Sequence, residues 1–105
     1  MAKYIFLGKY SKEGSAGLLS GATNRAAAIQ AMMDGVGAKL ISMDITRGEY
    51  DACVMVEAES FDIAGAVALK VRASGSMDEL IVLESIDVDS IVKASSTVSY
   101  TPPQG

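Results

Sequence analysis

The chain has 105 residues, half of them hydrophobic, and a net charge of −4; that is material for one domain with a sizeable core, and without any Lys/Arg run it argues against a general nucleic-acid binder. There is no histidine and one cysteine, Cys53, which rules out an internal disulfide, removes the commonest general base and metal ligand, and fits a reducing, cytoplasmic setting. No apolar run reaches bilayer length, and Tyr4-Ile5-Phe6-Leu7 is too short for the core of a signal peptide.

Lys3 to Tyr10 reads as a first strand. Tyr4 and Phe6 face one way, Ile5 and Leu7 the other, and both sets are apolar. Ser11 to Gly21, rich in Gly and Ser, reads as a loop with one helical turn at Leu18-Leu19. Thr23 or Asn24 caps a first helix through Ala26–Met33, its side-chain oxygen satisfying a free backbone N–H. Gly35 or Gly37 ends that helix.

Ala38 to Thr46 is predicted as a second strand, with Leu40, Ser42 and Asp44 on one face and Lys39, Ile41, Met43 and Ile45 on the other. A hairpin turn follows at Arg47-Gly48-Glu49, where Gly48 supplies a residue free to take positive φ. The third strand runs from Tyr50 to Ala58, and its apolar even set (Tyr50, Ala52, Val54, Val56) is expected to face helices. Ser60 starts a second helix, Phe61 to Ala73, with Asp62 in its first turn and Lys70 and Arg72 near its end, as the helix dipole favours. Ile63, Val67 and Val71 form its core stripe, and Gly75 closes it. Glu79 to Ile86 is the fourth strand, and Asp87 or Asp89 starts a short terminal helix containing Ile91 and Val92.

The order β-α-β-β-α-β is the ferredoxin-like arrangement, a four-stranded antiparallel sheet with two helices on one face. The predicted domain spans residues 1–95, and the Ser/Thr/Pro-containing tail 96–105 is expected to be loosely ordered. The second sheet face has no helical cover yet keeps Cys53 and Met55 among its residues. A sheet face left in water turns polar, so a homo-oligomer is expected, two sheets packing face to face as in a dimeric α+β barrel; the alternative is that the terminal segment 87–105 folds back over the same face.

Gly48, Tyr50 and Asp51, the opening Tyr4 to Tyr10 with Gly8-Lys9-Tyr10, Asn24-Arg25, Gly37-Ala38-Lys39-Leu40 and Val56-Glu57-Ala58 together resemble the GYD-domain proteins, small prokaryotic proteins named for a Gly/Tyr/Asp signature. The resemblance spans most of residues 3–90. It implies a ferredoxin-like fold of the α+β-barrel type, usually oligomeric, and no established reaction.

The Gly48–Asp51 turn is the foremost candidate site. Asp51 and Tyr50 are the candidate acid/base pair, and Lys9, Tyr10, Arg47 and Asp51 the candidate ligand-binding set. Against this stands a structural role, with Asp51 accepting backbone N–H bonds around the hairpin and Tyr50 packed under a helix. Gly14, Gly17 and Gly21 lead to a helix start at Asn24-Arg25 that could hold phosphate, but their spacing fits no phosphate-loop fingerprint. Cys53 reads as an inert, buried mid-strand thiol. No acidic cluster has the spacing of a metal site, and no cofactor is expected. The function classes are therefore a small oligomeric binding or regulatory module for a small molecule, a cofactor-independent enzyme of monooxygenase or isomerase type using Asp51 and Tyr50, and a purely structural assembly protein.

Overall fold

A computed structural model describes residues 1–21 and 24–104. Its elements are β1 (Ala2–Tyr10), α1 (Lys12–Ser20), α2 (Arg25–Gly35), β2 (Lys39–Ile45), β3 (Ala52–Ala58), α3 (Phe61–Ala73), β4 (Met77–Glu84) and α4 (Val88–Ser95). The strands form one antiparallel sheet in the order β2-β3-β1-β4, which is the ferredoxin-like topology.

The two-residue period of β1 decides the layering. Tyr4, Phe6 and Gly8 are buried, and the register places Tyr4 opposite Val56 and Phe6 between Val54 and Val82. These side chains share the face covered by helices, where Tyr4, Met33, Val56, Ala58, Ala64, Val67 and Leu80 form the core. Burial pushes the Tyr4 phenol up from its ordinary value, and the nearby Glu84 carboxylate adds to this. The Tyr4 and Phe61 rings meet at 6.2 Å in a tilted pair. α2 lies over β2 and α3 over β4.

Local chemistry fixes the helix ends. Asn24 caps α2, its Oδ1 accepting from the Ala27 N–H at 3.1 Å; Thr23, the alternative cap, lies outside the described residues. The chain leaves α2 through Gly37, whose φ of +69° suits glycine alone. α3 has the bounds expected from the sequence, and Arg72 in its last turn donates to the Leu80 carbonyl at 2.7 Å.

Three expectations need correction. The sheet is open: β2 and β4 are its edges and do not pair, so there is no α+β barrel. Four helices stand among the described residues, where the expected arrangement has two with the short terminal helix added. The additional one is α1, where a loop was expected. Ser11 caps it by accepting from the Gly14 N–H at 3.1 Å, while its own hydroxyl donates to the Gly75 carbonyl at 2.6 Å. Gly14 and Gly17 weaken the helical signal by roughly 1 kcal/mol each relative to alanine, but Gly14 is required by contact: a Cβ there would lie 2.2 Å from the Ser76 carbonyl oxygen. α4 is the short terminal helix expected from the sequence, with Asp87 as its cap.

The third correction concerns β2. Leu40 pairs with Val56, but Ser42 rather than Ile41 pairs with Met55. Ile41 is the extra residue of a bulge, which switches the alternation of the strand. Leu40, Met43 and Ile45 therefore share the helix-covered side, and Lys39, Ser42 and Asp44 the other.

The uncovered face is ordered in rows by the register. Met55, Ile5 and Leu83 lie across neighbouring strands, and Cys53, Leu7 and Ile81 form the next row. All six are partly exposed, Leu83 at 45 %. One end of this apolar patch carries Lys39, Glu57 and Lys3, the other Lys9 and Glu79.

α4 stands away from the body. Asp87 caps it, its carboxylate accepting from the Asp89 N–H at 3.0 Å and the Ser90 hydroxyl at 2.8 Å. These bonds, those from Ser90 first, hold the Asp87 carboxyl below its ordinary value. No residue of α4 is buried, and its apolar stripe of Val88, Ile91 and Val92 is exposed. The radius of gyration, 17.4 Å, exceeds the about 13 Å expected of a compact chain this long. Among the described residues no helix is long and apolar enough to cross a membrane.

Candidate functional site

The Gly48–Asp51 turn is held by backbone hydrogen bonds. Gly48 has φ of +134°. The Asp51 N–H donates to the Gly8 carbonyl at 2.8 Å, the Asp51 carbonyl accepts from the Thr46 N–H at 2.8 Å, and Asp51 Oδ2 accepts from the Tyr10 N–H at 2.9 Å. Asp51 thus ties the β2–β3 hairpin to the end of β1, where the ladder of β1 and β3 stops at Gly8 and Ala52. Its carboxylate serves the backbone.

Lys9 points to the uncovered face. Its Nζ is 3.1 Å from Glu79 Oε2 and 5.4 Å from the centroid of the Tyr50 ring. The hydrogen bond to Glu79 raises the Lys9 ammonium above its ordinary value, and the carboxylate's charge adds to this. Tyr50 therefore lies beneath a lysine instead of under a helix. Arg47 is exposed in the turn. Of the five candidates, Lys9 meets Tyr50 and Tyr10 meets Asp51, but the set does not converge on one concave site.

The cavity lies on the other side of the sheet. Between α2 and α3 is a space of ≈ 210 Å³. Its walls are apolar, with Phe6, Met32, Met43, Val54 and Val71 among them, and its polar lining residues are Tyr10, Arg25 and Ser76. The small side chains of Ala28 and Ala52 help to leave it open. An apolar cavity of about 150 Å³ takes a benzene molecule, so this one has room for a small ring or a branched aliphatic group.

Arg25 was legible in the sequence only as part of a helix start. In the structure α1 folds back so that the Arg25 guanidinium lies 4.8 Å from the centroid of the Tyr10 ring and donates from Nη2 to the Gly14 carbonyl at 2.8 Å. Gly17 leaves room for it, since a Cβ there would approach Nη2 to 3.0 Å. Arg25 Nε is buried without a hydrogen-bond partner among the described residues. Gly14, Gly17 and Gly21 make no phosphate loop: two lie inside α1 and the third caps it with φ of +66°. Cys53, expected in a buried place, is partly exposed because the face it occupies has no cover.

The model of the GYD domain family matches residues 4–95. No curated protein matches the chain. Among solved structures, FFRP-DM1 is similar at 16 % identity with a TM-score of 0.52, the match covering 82 % of this chain and 100 % of that one. The hypothetical protein PHS023 from Pyrococcus horikoshii is similar at 15 % identity with a TM-score of 0.51, covering 82 % of this chain and 90 % of that one. At such identities the likeness speaks for the fold alone.

Proposed function

The chain belongs to the GYD-domain family, and from that premise we propose that it is a small-molecule-binding module that works as a self-associated assembly. The observation that carries the proposal is the ≈ 210 Å³ apolar cavity between α2 and α3. Apolar walls with a few polar groups at one end are the usual build of a ligand site. The size selects small ligands, since drug-sized molecules occupy pockets of about 300–1,000 Å³. Tyr10 is the member of the expected ligand-binding set that lines this cavity.

Enzymatic acid/base work finds less support. Among the described residues no carboxylate lines the cavity, and the Asp51 carboxylate accepts from the Tyr10 backbone. A general base must reach the proton it removes.

Self-association rests on a separate observation, the uncovered patch of Ile5, Leu7, Cys53, Met55, Ile81 and Leu83. Burying each large apolar side chain fully is worth about 1.5–3 kcal/mol. The occupant is a second copy of the chain. Each end of the patch carries both signs of charge, Lys3 and Lys39 with Glu57 at one, Lys9 with Glu79 at the other. Two copies related by a two-fold axis can therefore set unlike charges together around an apolar centre.

Native mass spectrometry of the purified chain tests both parts. The proposal expects a multiple of the chain mass and a bound small molecule that leaves when Ala28→Phe fills the cavity. A monomer that neither carries nor takes up any apolar compound would overturn it.

A further inference from the structure

We propose that the ligand is a small monocarboxylate with an apolar body, recognised by Arg25. The inference rests on the cavity's being a binding site and adds the chemical class of its occupant. Arginine keeps its charge throughout the physiological range. Here that charge stands at the rim of an apolar cavity, and the ion pair found among the described residues, Lys9–Glu79, lies on the opposite face of the sheet. The partners of the guanidinium are neutral: the Gly14 carbonyl and the Tyr10 ring.

Two features show that the group is held rather than loose. The Tyr10 ring and the Gly14 carbonyl fix its plane, and the missing side chain at Gly17 gives it space. Its Nε–H is buried and has no hydrogen-bond partner among the described residues. A buried donor left unpaired is costly, more so where the group is charged. Arg25 lines the cavity, and among the described residues no acidic side chain lines it beside Arg25; an oxygen of a ligand there supplies the missing acceptor. A carboxylate does so best, because it accepts a charge-assisted hydrogen bond and balances the charge of the guanidinium. The apolar walls then take the rest of the molecule. A phenyl ring or a branched chain of four or five carbons suits the volume, and a second charge on the ligand would be stranded among Phe6, Val54 and Val71.

Calorimetric titration of the intact chain tests the assignment with benzoate and 4-methylpentanoate against benzamide and toluene. The expected result is that the two carboxylates bind at least about tenfold more tightly than benzamide. In Arg25→Met, which keeps an apolar stem of similar length, that preference is expected to vanish while toluene still binds. If toluene and benzamide bind the wild-type chain as well as benzoate does, the cavity reading stands and the role of Arg25 is overturned. Unchanged benzoate affinity in a folded Arg25→Met overturns it equally. If none of the four compounds binds, the cavity reading falls and this inference with it. The wild-type series decides the matter even should Arg25→Met fail to fold.

Discussion

The two faces of the sheet are built from the same strands and meet different fates. On one, Tyr4, Phe6, Val54, Val56 and Leu80 lie under α2 and α3, and Tyr4 and Val56 are only 2 % and 1 % exposed. On the other, Ile5, Leu7, Cys53, Met55 and Ile81 occupy alternate positions of the same strands and stay partly exposed. Apolar character is alike on the two sides, so composition alone does not decide burial. What differs is the cover. The β1–β2 and β3–β4 crossovers have one hand and deliver both helices to the same side. The first face is completed by its own chain; the second, on the proposal made above, is completed by a second copy.

Substitutions of matched size should separate the faces. Phe6→Ala is expected to cost about 3–5 kcal/mol of chain stability, read from urea denaturation at constant protein concentration. Gly14→Ala strikes the first face from its margin, forcing α1 away from the Ser76 carbonyl. An overpacking cost of about 1–3 kcal/mol is expected, together with weaker ligand binding because α1 holds Arg25. The same melts and titrations would show it. By contrast, the double change Leu7→Ser and Met55→Ser on the second face should leave the folded chain intact and lower its mass in solution, measured by light scattering. A loss of stability as large as that of Phe6→Ala would mean that the chain buries this face itself.

Gly48→Ala tests the hairpin that serves both faces. With φ of +134° the cost is expected to be about 1–3 kcal/mol. Among the described residues nothing lies within 4 Å of the added carbon, so the effect should be on stability and leave the ligand affinity unchanged.

The smallest expected effect concerns α4, which neither face holds. The Asp87 carboxyl is lowered by its bonds to Ser90 and Asp89. Its contribution is therefore present above the ordinary carboxylate value and lost as pH falls through the lowered native one. A partial loss of far-ultraviolet helix signal in acid, absent in Asp87→Ala, is the expected outcome. A signal flat down to the unfolding of the sheet would contradict it.

Much of this architecture was legible in the residues. Alternation in β1 and in β3 from Ala52 onward, the Asn24 and Asp87 caps, the stripe of α3 and the turn at Gly48 each carry a local signal and stand where it places them, whereas Tyr50, expected to continue the helix-facing set, lies outside β3 beside Lys9. What escaped depends on contacts distant in sequence. The bulge at Ile41 is set by pairing with Val56 and Met55 and reverses the faces of Met43 and Ser42. α1 exists despite its glycines because Ser11 and Gly14 dock on Gly75 and Ser76. The open edges at β2 and β4 correct the barrel, since strand order says nothing of whether a sheet closes.

The candidate site shows the same division. Asp51 and Tyr10 were visible as polar residues near a turn, and they meet, but through Asp51 Oδ2 and the Tyr10 backbone N–H. Arg25 escaped because its surroundings come from α1, from β1 and from a space left by alanines. Its one sequence signal was a cation in the first turn of a helix, where the dipole favours acidic residues.

The reactivity of Cys53 toward a small alkylating agent, followed as the protein is diluted, tests the central claim most directly, because this thiol belongs to the uncovered patch, beside Leu7 on its β3 side. Protection at high concentration that disappears on dilution is the result expected if a second copy closes that face. A rate equal to that of an unhindered thiol at every concentration would show the face open to water and contradict the account.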